Sequence, residues 1–496
     1  MMLISKIQNN TNEYIKSANK SDRKKIGQFF TSQNTAAFMA GLVDHSRLEK
    51  SVDILDPGCG SLILSAAMVQ EIIEKNRKVK SINLTLYEND SNIIELLNSN
   101  IELLESYCES KSVKLKVILN KSNYLLSNKD FWKKPKQIFD IVVCNPPYKK
   151  IRKMDDEAQV MDDILFGQPN LYYLFMALST KLLKDNGDFV FIVPRSWTSG
   201  LYFSKFREYL FNTLNTKHLH LFNSRNDVFD KESVLQETMI YYANKEKSRL
   251  NNEILITTSQ CNEDFDSLTN IVMTNESCIQ SFNGRFMFLP TTEKEIDLLK
   301  HLNQYHRTLL DLGFKLKTGP IVDFRNKDIL SSDSDNFPLI WPSHLRKGKV
   351  VFPNDIEENQ YIIGSKKTYL LKNTDYLILR RLTSKEETRR LQPALLSKRE
   401  IGNTKLISFE NHLNYLVKLD GDISKEEIRG FYVLFNSSYW DNYYRILNGS
   451  TQVNANEVNN MPVPTLEEIM ELGKCLKTSK RTTVECDRII REVLFL

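Results

Sequence analysis

Between residues 51 and 245 the chain keeps changing its hydrophobic period. Apolar runs of strand length begin at VDILDP (52), INLTLYE (82), KLKVIL (114), DIVVCN (140), DFVFIVP (188), KHLHLF (217) and ETMIYYAN (237). Helical spacing fills several of the gaps, over Leu62–Lys75, Ile93–Ser106, Leu171–Lys184 and Phe203–Asn215. Strands that are apolar on both faces must be covered on both faces, and helices inserted between consecutive strands do this. The pattern therefore predicts a doubly wound, Rossmann-like α/β sheet. Ligands of such sheets bind at the carboxyl ends of the strands, so the residues where strands stop carry the chemistry.

Beyond residue 250 the pattern shortens into strands and loops punctuated by Pro and Gly, with helical spacing returning from Thr465. A chain of 496 residues is too long for one core. Two domains are expected: an α/β domain over 1–250 and an α+β domain with a helical tail over 251–496. The formal charge of +5 is weak as a signal. Residues 301–420, however, hold 20 Lys and Arg against 14 Asp and Glu, an excess that suits a polyanion. A solvated surface that happens to be basic explains the excess equally well, and Arg325, Arg346, Lys347, Arg380, Arg381, Arg389 and Arg390 are the cations that would meet a polyanion if one binds. Arg389 and Arg390 follow SKEE and read equally well as a solvated helix surface. The seven cysteines show neither CxxC nor ligand spacing with His, so neither a disulfide framework nor a metal is expected. The N-terminus lacks a signal-peptide core, and no apolar run approaches the roughly 18 residues of a membrane span. A reducing, cytoplasmic setting away from membranes is the default.

Three strand ends stand out. The first closes in Asp56-Pro57-Gly58-Cys59-Gly60, where glycines let backbone approach a ligand ahead of a helix N-terminus. Many such turns bind nothing, and this one has neither GxGxxG spacing nor a phosphate-loop lysine. The second ends in Tyr87-Glu88-Asn89-Asp90. An acid here can accept from both hydroxyls of a ribose, or it can cap the next helix; Glu88 and Asp90 could divide these roles. The fourth ends in Asn145-Pro146-Pro147-Tyr148. An amide oxygen, a carbonyl with no competing N–H and a flat ring together fit a planar amine, held by its hydrogens and by its face. Cys144, just before, reads as a buried strand cysteine rather than a nucleophile.

DPGCG, YEND and NPPY in this order resemble motifs I, II and IV of the N6-adenine DNA methyltransferases. Ile26 to Thr31, IGQFFT, resembles their motif X, GQPNLYYLFMALSTKLLKDNGDFVFIVPRSW their motifs V and VI, and Asp227-Val228-Phe229 with the VLQE that follows their motif VIII. Motif X ahead of motif I is the gamma-class, TaqI-like order. TGPIVDFRNKDIL, LILRRLTSKEETRRL, FENHLNYL and STQVNANEVNNMPVP are similar to segments of the BsuBI/PstI-type modification methylases. The resemblance implies a methyltransferase domain using S-adenosyl-L-methionine, a C-terminal target recognition domain, and double-stranded DNA as partner. Any cognate restriction endonuclease would be a separate chain, since no PD…ExK pattern stands in the C-terminal half. The implied catalytic residues are Asn145, Pro146, Pro147 and Tyr148, with Tyr148 and Phe229 stacking on a flipped adenine. Arg325, Arg346, Arg380 and Arg381 would bind substrate. Thr31, Asp56, Gly58, Gly60, Glu88, Asn123, Tyr124 and Asn145 would hold the cofactor.

Three positions depart from the family pattern. Leu62 stands where a further glycine is usual, Ser32 where proline often follows the motif X threonine, and Asn123 in place of the motif III aspartate. They motivate a rival, a non-catalytic DNA-binding subunit on a methylase fold, against which the intact NPPY argues. NPPY also occurs in enzymes that methylate a protein glutamine or an rRNA base, but those resemble the catalytic half alone.

Overall fold

The computed structural model describes residues 3–17, 27, 29–223, 237–246, 253–280, 285–364, 369–383, 386–477 and 481–495. The chain divides into two compact units, the first running to residue 291 and the second from residue 292.

The first unit is built on nine strands: β1 (Ser51–Asp56), β2 (Ser81–Tyr87), β3 (Lys114–Asn120), β4 (Phe139–Cys144), β5 (Leu183–Pro194), β6 (Asn215–Phe222), β7 (Thr238–Asn244), β8 (Glu253–Ser259) and β9 (Thr269–Thr274). Their order in the sheet is β3-β2-β1-β4-β5-β7-β6-β8-β9. The seven strands expected from the sequence are the first seven. Strands β1 to β5 run parallel to their neighbours, and β7 is antiparallel to both β5 and β6. The order reverses between β1 and β4, which opens a crevice at their carboxyl ends.

The sheet does not stop at residue 250. β8 joins β6 in parallel and β9 closes the edge against β8, so this unit extends about forty residues past the boundary expected from composition. The change of pattern at 250 marks a change from covered to half-covered strands. β9 alternates exposed and buried residues, as an edge strand with one solvated face does.

Two helices set the crevice. Helix α1 (Leu3–Ser17) and helix α2 (Gln33–Gly41) pack beside helix α3 (Ile63–Lys75), whose residues Ile63 to Gln70 are all buried. Gln8 on α1 accepts from the Gln33 N–H at the head of α2, at 2.9 Å. Ser32 explains its own departure from the family pattern: it is the N-cap of α2, its hydroxyl accepting from the Thr35 N–H at 3.3 Å, a bond proline could not supply. Leu62 sits at φ +77°, a conformation that suits glycine, yet its side chain is fully buried. Left-handed backbone costs a non-glycine residue about 1–2 kcal/mol. Burial of a leucine contributes about 2–5 kcal/mol by the cost of truncating one, so packing wins at this position.

The second unit contains a six-stranded sheet, a five-stranded sheet and a set of helices, among them α4 (Lys425–Asn436), α5 (Leu466–Cys475) and α6 (Thr483–Leu494). Helices α4 and α5 touch backbone to backbone: a Cβ on Gly430 would lie 1.9 Å from the Ile469 carbonyl oxygen, and one on Gly473 1.9 Å from that of Glu426. Among the described residues, no helix is long and apolar enough to cross a membrane.

Candidate active site

The carboxyl ends of β1, β2 and β4 border a cavity of about 380 Å³. Six of the eight residues expected to hold a cofactor line it: Gly58, Gly60, Glu88, Asn123, Tyr124 and Asn145. Thr31 and Asp56 do not, and each has a different task.

Asp56 is fully buried beneath the glycine turn, accepting from the Ser65 hydroxyl at 2.7 Å and the Gly58 N–H at 3.3 Å. Burial pushes its carboxyl up to about 7 against these hydrogen bonds. It shapes the turn from behind. Glu88 reaches across from β2 and accepts from the Gly60 N–H at 3.1 Å and from the N–H groups of Asn89 and Asp90, both at 2.8 Å. Burial raises its pKa, opposed by those three donors. Asp90 caps the following turn by accepting from the Asn92 N–H. Both acids line the cavity, and Asp90 takes the cap as well.

Asn123 closes another side. Its carbonyl oxygen accepts from the N–H groups of Leu125 and Leu126 at 3.0 and 3.2 Å, and its amide donates to Glu157 at 2.9 Å. Its oxygen is thereby committed to a helix cap, and Glu157 supplies a carboxylate beside it. No motif signalled Glu157. Tyr124, buried, lies edge-on to Tyr87 at 5.2 Å and tilted to Phe175 at 5.1 Å, giving the cavity an aromatic wall.

The NPPY segment is ordered by the chain that precedes α2. Gly27 has φ +75°, and a Cβ on it would come within 3.0–3.2 Å of the Tyr148 backbone. Only glycine lets the two strands of chain approach this closely, and the Gly27 carbonyl accepts from the Tyr148 N–H at 3.2 Å. Two residues on, the Phe29 carbonyl accepts from Asn145 Nδ2 at 2.8 Å and Thr31 Oγ1 accepts from the same nitrogen at 3.1 Å. Both hydrogens of the Asn145 amide are thus occupied, which leaves its Oδ1 as the group it can offer. Thr31 is a clamp on Asn145. Phe29, which lines the cavity and lies 5.6 Å from the Tyr148 ring, is a further residue that motif reading passed over.

Tyr148 donates to the Ile192 carbonyl at 3.0 Å, which fixes its ring. Phe229 lies outside the described residues. Cys144 is fully buried and its thiol is pushed well up by burial, which suits packing and not nucleophilic attack.

The basic residues of the second unit separate into two groups. Arg390 is fully buried, bonded to Thr383, Asn448 and Ser450 at 2.6–3.2 Å, and cannot meet a nucleic acid. Arg389 spends its guanidinium on Thr483 and on the carbonyls of Leu391, Phe435 and Ser437. The expectation for this pair is corrected: Arg389 ties the chain to α4 and α6, and Arg390 holds Thr383, Asn448 and Ser450 together. Arg380 donates to the Pro342 carbonyl, and Arg381 to Asn411 and Gln452. Arg325 and Arg346 are exposed, the former 5.3 Å from the ring of Phe324.

Fold and site together define the class: a doubly wound α/β protein with a cavity of about 380 Å³ at the switch point of its sheet. The Eco57I restriction-modification methylase family model matches residues 71–229. The type II methyltransferase M.BsuBI of Bacillus subtilis is 32% identical over 482 residues, 95% of each chain. M.PstI of Providencia stuartii is 30% identical over 487 residues, 96% of this chain and 94% of that one. The chain belongs to the type II restriction-modification methyltransferases of which these two are members. Among solved structures, a nuclease-deletion mutant of the Type ISP restriction-modification enzyme LlaGI, in complex with a DNA substrate mimic, shares the fold with TM-score 0.51, 13% identity, 90% of this chain and 46% of that chain.

Proposed function

We propose that the protein transfers a methyl group from S-adenosyl-L-methionine to the N6 amine of an adenine rotated out of duplex DNA, as the modification activity of a restriction-modification system. The observation that carries this reading is the locked amide of Asn145, which has spent both of its hydrogens on Phe29 and Thr31 and keeps an oxygen acceptor at the strand tip.

The cavity suits this cofactor. Among the described residues, three acids, Glu88, Asp90 and Glu157, line it against one cation, Lys149, beside an aromatic wall. That donor set favours a cationic nucleoside and disfavours a phosphate. Glu88 is the group for ribose hydroxyls, the Gly58–Gly60 turn for the amino acid end, and Tyr124 and Phe175 for the base. When bound, the cofactor supplies an activated sulfonium methyl.

The chain's own part is positioning. The N6 lone pair of adenine is delocalised into the ring, which makes the amine a poor nucleophile. Asn145 Oδ1 and the Pro146 carbonyl accept its two hydrogens and draw the lone pair out of the ring plane. Alignment of this kind and preorganised acceptors lower the barrier with no catalytic base set up in advance. Tyr148, its ring fixed through Ile192, offers one face for the rotated base, and Phe229 is the candidate for the other. The second unit would read the duplex, with exposed Arg325 and Arg346 available to it and Arg380 and Arg381 partly committed. The setting is cytoplasmic in this reading, which accords with seven free cysteines.

Asn145→Ala tests the assignment. Methyl transfer to DNA should be abolished while cofactor affinity stays within a few-fold of wild type. Substantial transfer by the variant would overturn the role of Asn145.

A further inference from the structure

The second unit holds a cavity of about 570 Å³ with no acidic residue on its lining among the described residues. Its cations differ in how they are engaged. Arg389 is consumed by carbonyls and Thr483, so it serves the framework, and Arg380 is partly committed through the Pro342 carbonyl. Lys347, Lys349 and Arg481 are different: among the described residues their side chains make no ion pair and no hydrogen bond, and Arg481 Nε is buried without a partner. Three uncompensated cations around one concavity repel each other, and a buried guanidinium N–H without an acceptor costs free energy. An anion resolves both problems.

The backbone points the same way. Lys347 and Gly348 form the two-residue turn between Leu345–Arg346 and Lys349–Val350, with Arg346 paired to Lys349 across it. Both turn residues have positive φ, +45° and +75°, as the tight hairpin turn requires. Gly348 has no alternative, since a Cβ there would lie 2.2 Å from Tyr432 Oη. At the Lys347 position Asn or Gly would be the relaxed choice. A lysine held there against its own backbone preference fits a use for its charge. The opposite wall is Arg481 with the N-terminal turn of α6, whose Thr482 caps the helix by accepting from the Glu485 N–H. The helix end adds positive potential to that of the free cations.

We propose that this cavity is a phosphate-binding site that grips the sugar–phosphate backbone of the DNA duplex independently of sequence. Lys347 and Lys349 form an exposed rim, and Arg481 with the head of α6 forms the floor. This rests on the DNA reading above and adds a site to it. The duplex is favoured over a small phosphate ligand because two of the three free cations stand on the exposed hairpin.

The test is salt-dependent binding of the full-length protein to two fluorescent duplexes of unrelated sequence, followed by anisotropy. The key variant is Lys347→Asn, which relaxes the turn while removing the charge, alone and combined with Lys349→Ala. Each lysine lost from a phosphate should lower the slope of log affinity against log salt by about 1. The double variant should bind both duplexes about tenfold or more weakly at ~0.1 M salt, with slopes lower by about 2. Its affinity for S-adenosylhomocysteine should be unchanged, and the denaturation midpoint of Lys347→Asn should be equal to or above that of wild type. A purely structural lysine would leave the slope where it was, and that result overturns the proposal. Loss confined to one duplex would also overturn it, by indicating base readout. Tripolyphosphate that raises the melting temperature of wild type but not of Arg481→Ala, with duplex binding by Arg481→Ala intact, would reassign the cavity to a small ligand. A wild type that binds neither duplex refutes the DNA reading itself, whereas unchanged slopes in the variants alongside normal wild-type binding refute only this site.

Discussion

Replacing Thr31 with valine separates two roles that the family resemblance would merge. Valine is nearly isosteric with threonine and lacks the oxygen that accepts from Asn145 Nδ2 at 3.1 Å. The second bond of that nitrogen, to the Phe29 carbonyl at 2.8 Å, survives. A hydrogen bond between neutral groups contributes about 0.5–1.5 kcal/mol net, and leaving a buried donor unpaired costs about 1–3 kcal/mol. Thr31 is only 4% exposed, so the upper range applies. If half of that cost, about 0.5–1.5 kcal/mol, appears in the transition state, where the Asn145 oxygen must be aimed, kcat falls by about 2- to 13-fold at 1.36 kcal/mol per factor of ten. Thr31 does not line the cofactor cavity, so the dissociation constant for S-adenosylhomocysteine should stay within twofold. Thr31→Ser keeps the oxygen and should recover most of the rate. The assay is single-turnover methyl transfer to DNA with cofactor binding by calorimetry alongside. A variant with normal kcat and a cofactor dissociation constant raised tenfold would refute the clamp and make Thr31 a cofactor ligand.

Three further outcomes follow from the same geometry. Asp56, its carboxyl raised by burial to about 7 from an ordinary value near 3.8, contributes stability that is present below the ordinary value and lost as pH rises through about 7; urea midpoints between pH 4 and 8 should decline in the ligand-free protein and flatten in Asp56→Asn, and an identical decline in both excludes this residue as the cause. Leu62→Gly relieves backbone strain of about 1–2 kcal/mol and forfeits burial of about 2–5 kcal/mol, so the urea midpoint should fall; an unchanged or higher midpoint means strain dominates. Glu157→Ala removes the partner of the Asn123 amide and should weaken cofactor binding by about 2- to 10-fold with kcat at saturating cofactor unchanged, as calorimetry and steady-state kinetics would register; a lowered kcat with normal binding contradicts that assignment.

How far the sequence could be read depended on the range of the interaction. Strands β1 to β7 and the glycine turn, Glu88 and NPPY were legible because hydrophobic period and turn residues are local. The side on which a residue works was less so. Thr31 and Asp56 belong to recognisable motifs, but one faces Asn145 and the other Ser65, and only packing decides that. Glu157 comes to Asn123 from 34 residues away, which no spacing rule anticipates. The pairing of Glu253–Ser259 with β6 is a long-range choice, so the change of pattern at residue 250 does not by itself mark where the first unit ends. Arg390 shows the weakest point of charge patterning: a buried arginine bonded within the fold and a phosphate-seeking one look alike in sequence.

The most direct test of the central claim is the chemistry of the modified base. DNA from a host lacking its own methylation, expressing either the wild-type chain or Asn145→Ala, is digested to nucleosides and analysed by mass spectrometry. The expected result is N6-methyladenine with the wild type and none with the variant. Methylation of cytosine, or no methylated nucleoside from an expressed wild-type protein that binds cofactor, would contradict it.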